Sequence, residues 1–92
     1  MSSLDECFER RNLKKANPST AKAKASLAIA ENNLRDARIH RDNSMYNWAL
    51  IASYASMFHS GRALLFRDGI KEKSHFCLAL YVKEKYKGTI EE

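Results

Sequence analysis

The sequence predicts an all-α fold, an antiparallel up-and-down helical bundle of two long helices with shorter helices flanking them. Three observations predict it. No segment alternates polar and apolar residues for long enough to make a strand. Two long stretches, 18–39 and 43–67, carry apolar residues at helical spacing. Start and stop signals fall at their ends: Asn17-Pro18, Asp42-Asn43-Ser44, Asp68-Gly69 and Ser74.

Taken in order, Ser3-Leu4-Asp5-Glu6 has capping-box spacing and opens a short helix over 4–11, with Leu4, Cys7 and Phe8 on one side. The segment 12–17 reads as a connector. Asn17 as N-cap and Pro18 at the first helical position start the first long helix. Its apolar stripe is Ala23, Leu27, Ala30, Leu34 and Ala37, and the alternation of Ala with Leu suits close approach to a neighbouring helix. The second long helix, 43–67, spans roughly 39 Å at 1.5 Å per residue. Leu50, Tyr54, Phe58, Gly61 and Leu65 form one seam, and apolar residues continue most of the way round, so the helix is expected to be buried on several sides. Gly69 suits a left-handed C-terminal position. After a short basic turn at 71–73, Ser74 caps a last helix over 75–87, which Gly88 closes.

The chain has 92 residues, a net charge of +5, 45% hydrophobic and 29% charged residues, which is the balance of one ordered domain over 1–92. A domain this small buries only about 60–65% of the surface its unfolded chain exposes, so self-association is an expected source of stability. Cys7 and Cys77 stand seventy positions apart without a CxxC pattern. That spacing argues against a disulfide staple or a zinc site and for a reducing, cytoplasmic setting. The charged start and the lack of a long apolar run predict neither a signal peptide nor a membrane span. There is no Gly-rich phosphate loop, nucleophile elbow or metal-spaced cluster, so no cofactor and no metal is expected. The basic residues are spread along the chain without interleaved aromatics, so composition does not argue for a nucleic-acid surface and DNA is not a predicted partner.

Recognition enters at Tyr54-Ala55-Ser56-Met57-Phe58-His59-Ser60-Gly61-Arg62-Ala63-Leu64-Leu65-Phe66 and the following Arg67-Asp68-Gly69-Ile70-Lys71-Glu72-Lys73-Ser74-His75. These resemble the central helix and the Gly-Ile…Lys-Ser-His turn of HEPN domains, the nucleotide-binding helical domains of higher eukaryotes and prokaryotes. Upstream, Lys15 to Arg38 is similar to that family's first long helix, so the resemblance covers about Phe8 to Tyr86. It implies a HEPN-like bundle of short type, ending before the family's usual last helix. It further implies nucleotide or RNA as a ligand class, and a minimal nucleotidyltransferase as partner in a toxin–antitoxin-like pair. The Arg-x4–6-His motif of HEPN ribonucleases ordinarily lies on the later helix. Arg35 to His40 matches the pattern, but on the first long helix, in a chain with sixteen basic residues. The expected function is therefore a non-catalytic nucleotide-binding or assembly module, with a ribonuclease toxin built on a composite dimer site as the alternative.

Five residues are the candidate ligand contacts, and no catalytic residue is assigned. His59 and Arg62 share a face of the second long helix, where Arg62 could grip a phosphate with two donors. A packing role, paired with an acid or backbone across the bundle, is the preferred reading for both. Lys73, Ser74 and His75 open the last helix, where free amides and cations suit an anion. The small residues Ala49, Ser53, Ser56, Ser60 and Ala63 predict a homodimer packed through the long helices.

Overall fold

The computed structural model describes residues 3–87. Its elements are α1 (Ser3–Glu9), β1 (Leu13–Lys15), α2 (Thr20–Asp42), α3 (Tyr46–Asp68), β2 (Ile70–Glu72) and α4 (His75–Lys85). The two long apolar-periodic stretches become α2 and α3, an antiparallel hairpin held together by small side chains. Ala23, Ser26, Ala30 and Ala37 are buried on α2, as are Ala52 and Ala63 on α3. The Ser56 hydroxyl donates to the Ala30 carbonyl at 2.8 Å, a contact that only closely approaching backbones allow. That closeness corrects the expected stripe: Leu27 and Leu34 are 47% and 42% exposed, and Ser26 lies in the seam instead. Leucines there would hold the backbones apart. Of the small strip predicted as a dimer contact, Ser56 is spent on α2 and Ala63 is buried, whereas Ser60 is exposed beside the groove to α4.

The chain ends its elements with local devices, although not always the expected ones. Ser19, not Asn17, is the N-cap of α2, its hydroxyl accepting from the Lys22 amide at 3.1 Å. Backbone bonds from Ala16 N to Gly69 O and from Ser19 N to Phe66 O hold 16–19 extended against the end of α3, so the helix starts late. Likewise Asn43 does not cap α3. It closes α2, its side-chain amide donating to the Ile39 carbonyl at 2.8 Å, while Ser44 turns the chain at φ 61° and Met45 becomes the cap residue. Gly69 ends α3 in the left-handed region, φ 76° and ψ 43°. Ser74 caps α4, accepting from the Cys77 amide. Ser3 is already helical, α1 stops at Glu9, and Arg11 follows at φ 61°. Gly88, expected to close the last helix, lies outside the described residues.

Two features were not foreseen. The connector and the basic turn pair as a two-stranded antiparallel sheet, in register Leu13↔Glu72, Lys14↔Lys71, Lys15↔Ile70. Three residues per strand are too few to print a period-two pattern. Leu13 and Ile70 nonetheless turn into the core with Leu65, Cys7, Cys77, Leu78 and Tyr81. Second, Cys7 and Cys77 form a disulfide with Cα atoms 5.9 Å apart, against the expectation of none. Packing of α1 on α4 brings the two together, which residue counting could not anticipate. The reducing compartment inferred from unpaired cysteines loses that support. No helix among the described residues is long and apolar enough to cross a membrane.

The return strand sets the architecture. β2 carries the chain back along α3, so α4 runs in the same sense as α3: His75 lies by Tyr54 and Phe58, Leu78 and Val82 by Gly61, and Tyr81 and Tyr86 by Asp68. These contacts place α4 against α3 from Tyr54 onward. They leave the first turns of α3 backed by α2.

Candidate functional site

Phe58 is the point where three of the five predicted residues meet. It sits one turn from Arg62 on α3 and faces the start of α4. The His75 ring packs on it at 4.1 Å between centroids, and the His59 ring meets it edge-on at 5.4 Å. The Arg62 guanidinium lies over its face at 4.8 Å, a cation–π contact. By helical spacing alone Phe58 belongs to the apolar seam of α3. Its spacing of one and four residues from His59 and Arg62 was the available signal that it organises the cluster.

Each of the three has further partners. Arg62 Nε donates to Glu72 Oε1 at 2.8 Å, joining α3 to β2, with the Glu72 side chain 9% exposed and that of Arg62 35%. His75 Nδ1 and the Tyr54 hydroxyl share a hydrogen bond of 3.1 Å at the surface. His59 Nδ1 is buried and has no hydrogen-bond partner among the described residues. Such an orphan is uncommon in a folded chain and marks a place where polarity is held without satisfaction. The other two candidates lie elsewhere. The Ser74 hydroxyl is engaged as the cap of α4, and Lys73 belongs to the basic surface of the sheet, beside Lys14.

On the α4 side of Phe58 a groove of about 620 Å³ opens between α3 and α4, walled by Tyr54, Met57, Gly61, Leu78 and Val82, with Lys83 and Lys87 also lining it. Gly61 makes this close approach, since a Cβ there would sit 2.8 Å from a Leu78 methyl. A second, smaller hollow of about 360 Å³ lies by Arg62, Glu72, Lys22 and Phe66. At the far end of the core, Asp68 Oδ2 accepts from both the Tyr81 and Tyr86 hydroxyls, at 3.1 and 2.6 Å. Burial and the adjacent Asp68 carboxylate push the Tyr81 phenol up to about 12, and burial raises that of Tyr86 as well. Among the described residues, no group of three or more His, Cys, Asp or Glu side chains could hold a metal ion.

The outward surface is unusual in another respect. From Tyr46 to Gly61 the sequence contains no Asp, Glu, Lys or Arg. Yet Leu50, Tyr54 and Met57, which share one face at intervals of four and three residues, are 72%, 52% and 68% exposed. Tyr46, Trp48 and Ile51 are each more than half exposed as well. The expectation that this helix is buried on several sides is therefore not met within one chain.

Comparison with known proteins agrees with the resemblance drawn from the motifs. Over 51 residues the chain is 39% identical to a protein of Methanocaldococcus jannaschii named as a putative toxin, the match covering 55% of this chain and 38% of that protein. The chain thus spans well under half the length of this relative. No solved structure matches it. The model of the HEPN domain matches residues 23–92, most of the chain, from early α2 through α4 and beyond. The helical bundle, the central helix around Phe58 and this match together place the chain in the HEPN domain family.

Proposed function

We propose that this chain is a non-catalytic assembly module of the HEPN type, which pairs with a second copy of itself through the exposed face of α3. The observation that carries the reading is the uncharged stretch from Tyr46 to Gly61, whose Leu50, Tyr54 and Met57 stand in water in the single chain. Isolated surface leucines need no explanation, but a run of large apolar side chains on one helix with no charge among them is what interaction surfaces carry. The contact is therefore placed on these larger side chains rather than on the small strip, whose Ser56 is already bonded to α2.

The name of the archaeal relative supports a toxin–antitoxin-like setting; a minimal nucleotidyltransferase as the second partner rests on the family resemblance alone. In that reading the Phe58 cluster, with His59, Arg62 and His75, is the nucleotide-facing part of the module. The ribonuclease alternative, a composite site formed across a dimer, finds its Arg-x4–6-His pattern in this sequence only at Arg35 to His40. Arg35 is exposed and bonds Asn32 at 3.3 Å. The match lies on α2, not on the later helix where the family carries the motif.

Sedimentation equilibrium tests the proposal. The wild type is expected to dimerise at micromolar concentration and Leu50→Glu with Met57→Glu to be monomeric with an unchanged circular dichroism spectrum. A wild type that stays monomeric well above micromolar refutes it. Cleavage of total RNA by the wild type, abolished by Arg35→Ala, would put the ribonuclease reading in its place.

A further inference from the structure

The groove between α3 and α4 has the shape of a socket for a third helix. Gly61 and Leu78 are buried at its floor, while Met57 and Ser60 on one wall and Ala79 and Lys83 on the other are exposed. Met57, Ser60 and Leu64 follow one another along α3 at steps of three and four residues, and His75, Ala79 and Lys83 along α4 at steps of four. Each wall is therefore a single helical ridge, and a helix packs by laying its own ridge between two such rows. From His75 to Lys85 α4 runs roughly 15 Å, the length of about three turns. Ser60, Gly61 and Ala79, at the middle of the groove, are small enough to let another backbone come close.

The groove is charged at one end only. Its lining carries Lys83 and Lys87 and no Asp or Glu. No ion pair among the described residues engages either lysine. At the opposite end Tyr54 and Met57 belong to the uncharged stretch from Tyr46 to Gly61. The polar groups there, the Tyr54 hydroxyl and His75 Nδ1, already bond each other at 3.1 Å.

We propose that this groove receives an amphipathic helix of a partner protein, one with Asp or Glu in its first turn, lying antiparallel to α4. Apolar side chains at i, i+3, i+4 and i+7 of that helix meet the floor, the pattern by which helices fill apolar grooves. The charge asymmetry sets the direction. Carboxylates belong beside Lys83 and Lys87, and a helix carries them best at its N-terminus, where its dipole is positive. A second copy of this chain does not supply such a helix. Among the described helices only α1 has acids in its first turn, Asp5 and Glu6, and it is seven residues long and tied to α4 through Cys7 and Cys77. Tyr54 and Met57 are shared with the α3 face assigned to dimerisation, but Leu64, Ala79, Val82 and Lys83 are not, so the proposal does not rest on that reading.

Fluorescence anisotropy of a labelled Ser-Glu-Glu-Glu-Leu-Ala-Gln-Leu-Leu-Ala-Gln-Leu peptide with the intact chain tests it, with laurate titrated in parallel as an anionic amphiphile that is not a helix. The peptide is expected to bind and to gain helical circular dichroism on binding. Lys83→Glu with Lys87→Glu should weaken it about tenfold and remove most of the salt dependence. Ala79→Trp should abolish binding by filling the groove, with the Tm unchanged because position 79 is exposed. Leu50→Glu, outside the groove, should leave peptide binding intact whether or not the wild type dimerises, which keeps the two readings apart. Absence of peptide binding, binding unaffected by Ala79→Trp, or binding unaffected by the paired lysine changes each overturns the proposal. Laurate binding that Ala79→Trp blocks, without binding of the peptide, gives the groove to an amphiphile and overturns it as well.

Discussion

Replacing Arg62 distinguishes a residue that holds the fold from one that holds a ligand. In the structure Arg62 Nε donates to Glu72 Oε1 at 2.8 Å, and the Glu72 side chain is 9% exposed. Arg62→Ala would leave that carboxylate in a poorly hydrated site with its charge uncompensated. Breaking a fully buried pair costs about 3–5 kcal/mol. Arg62 is itself 35% exposed, so water screens part of the interaction. The expected cost is therefore nearer 2 kcal/mol, including about 0.5–1 kcal/mol for the lost contact with the Phe58 ring. For a domain of this size each kcal/mol moves the midpoint by about 4–8 °C, so Arg62→Ala should lower the Tm by roughly 10 °C. Glu72→Gln in the same chain should recover part of that, because it removes the stranded charge. A thermal or urea double-mutant cycle over the two positions should then report a coupling of about 1–2 kcal/mol. If Arg62→Ala shifts the midpoint by less than about 2 °C, the ion pair is not structural and the reasoning fails. If the same variant then also loses a nucleotide-dependent thermal shift, Arg62 is a ligand contact instead.

Two further expectations concern the ends of α3 and α4. Gly69→Ala should destabilise by about 2 kcal/mol or more, because Gly69 has φ 76° and an added Cβ would lie 2.7 Å from the Ala16 carbonyl oxygen. A variant as stable as the wild type in urea would contradict the left-handed cap. Tyr81 carries the alkaline prediction. Its folded phenol ionises at about 12, above the usual 10, so the unfolded chain loses this proton first. Stability is then fully present below pH 10 and falls as pH rises from about 10 to 12, with Tyr86 adding in the same direction. Tyr81→Phe should flatten that slope, and a phenolate absorbance titration showing every tyrosine ionising near pH 10 would refute the assignment.

What the sequence determined by itself was whatever depends on neighbours along the chain. The two long helices follow from spacing within a few turns, Gly69 from the steric freedom of one residue, and the Ser74 cap from a hydroxyl three residues before its amide. The central motif from Tyr54 to Phe66 and the turn from Arg67 to His75 were enough to show a resemblance to the HEPN family and to bring His59, Arg62 and His75 forward as candidates. Tertiary structure decided what no local rule can weigh. Leu27 and Leu34 have the stronger apolar character, but Ser26 takes the seam because Ser56 draws the α2 and α3 backbones close. The β1–β2 pairing and the disulfide join residues 55 to 70 positions apart, and only the packing of α1, α3 and α4 brings them within reach. The same packing leaves Leu50, Tyr54 and Met57 in water and sets Lys14 against Lys71. Helical periodicity says which side of a helix is apolar; whether another surface is there to cover it is settled by the rest of the fold, or by a partner.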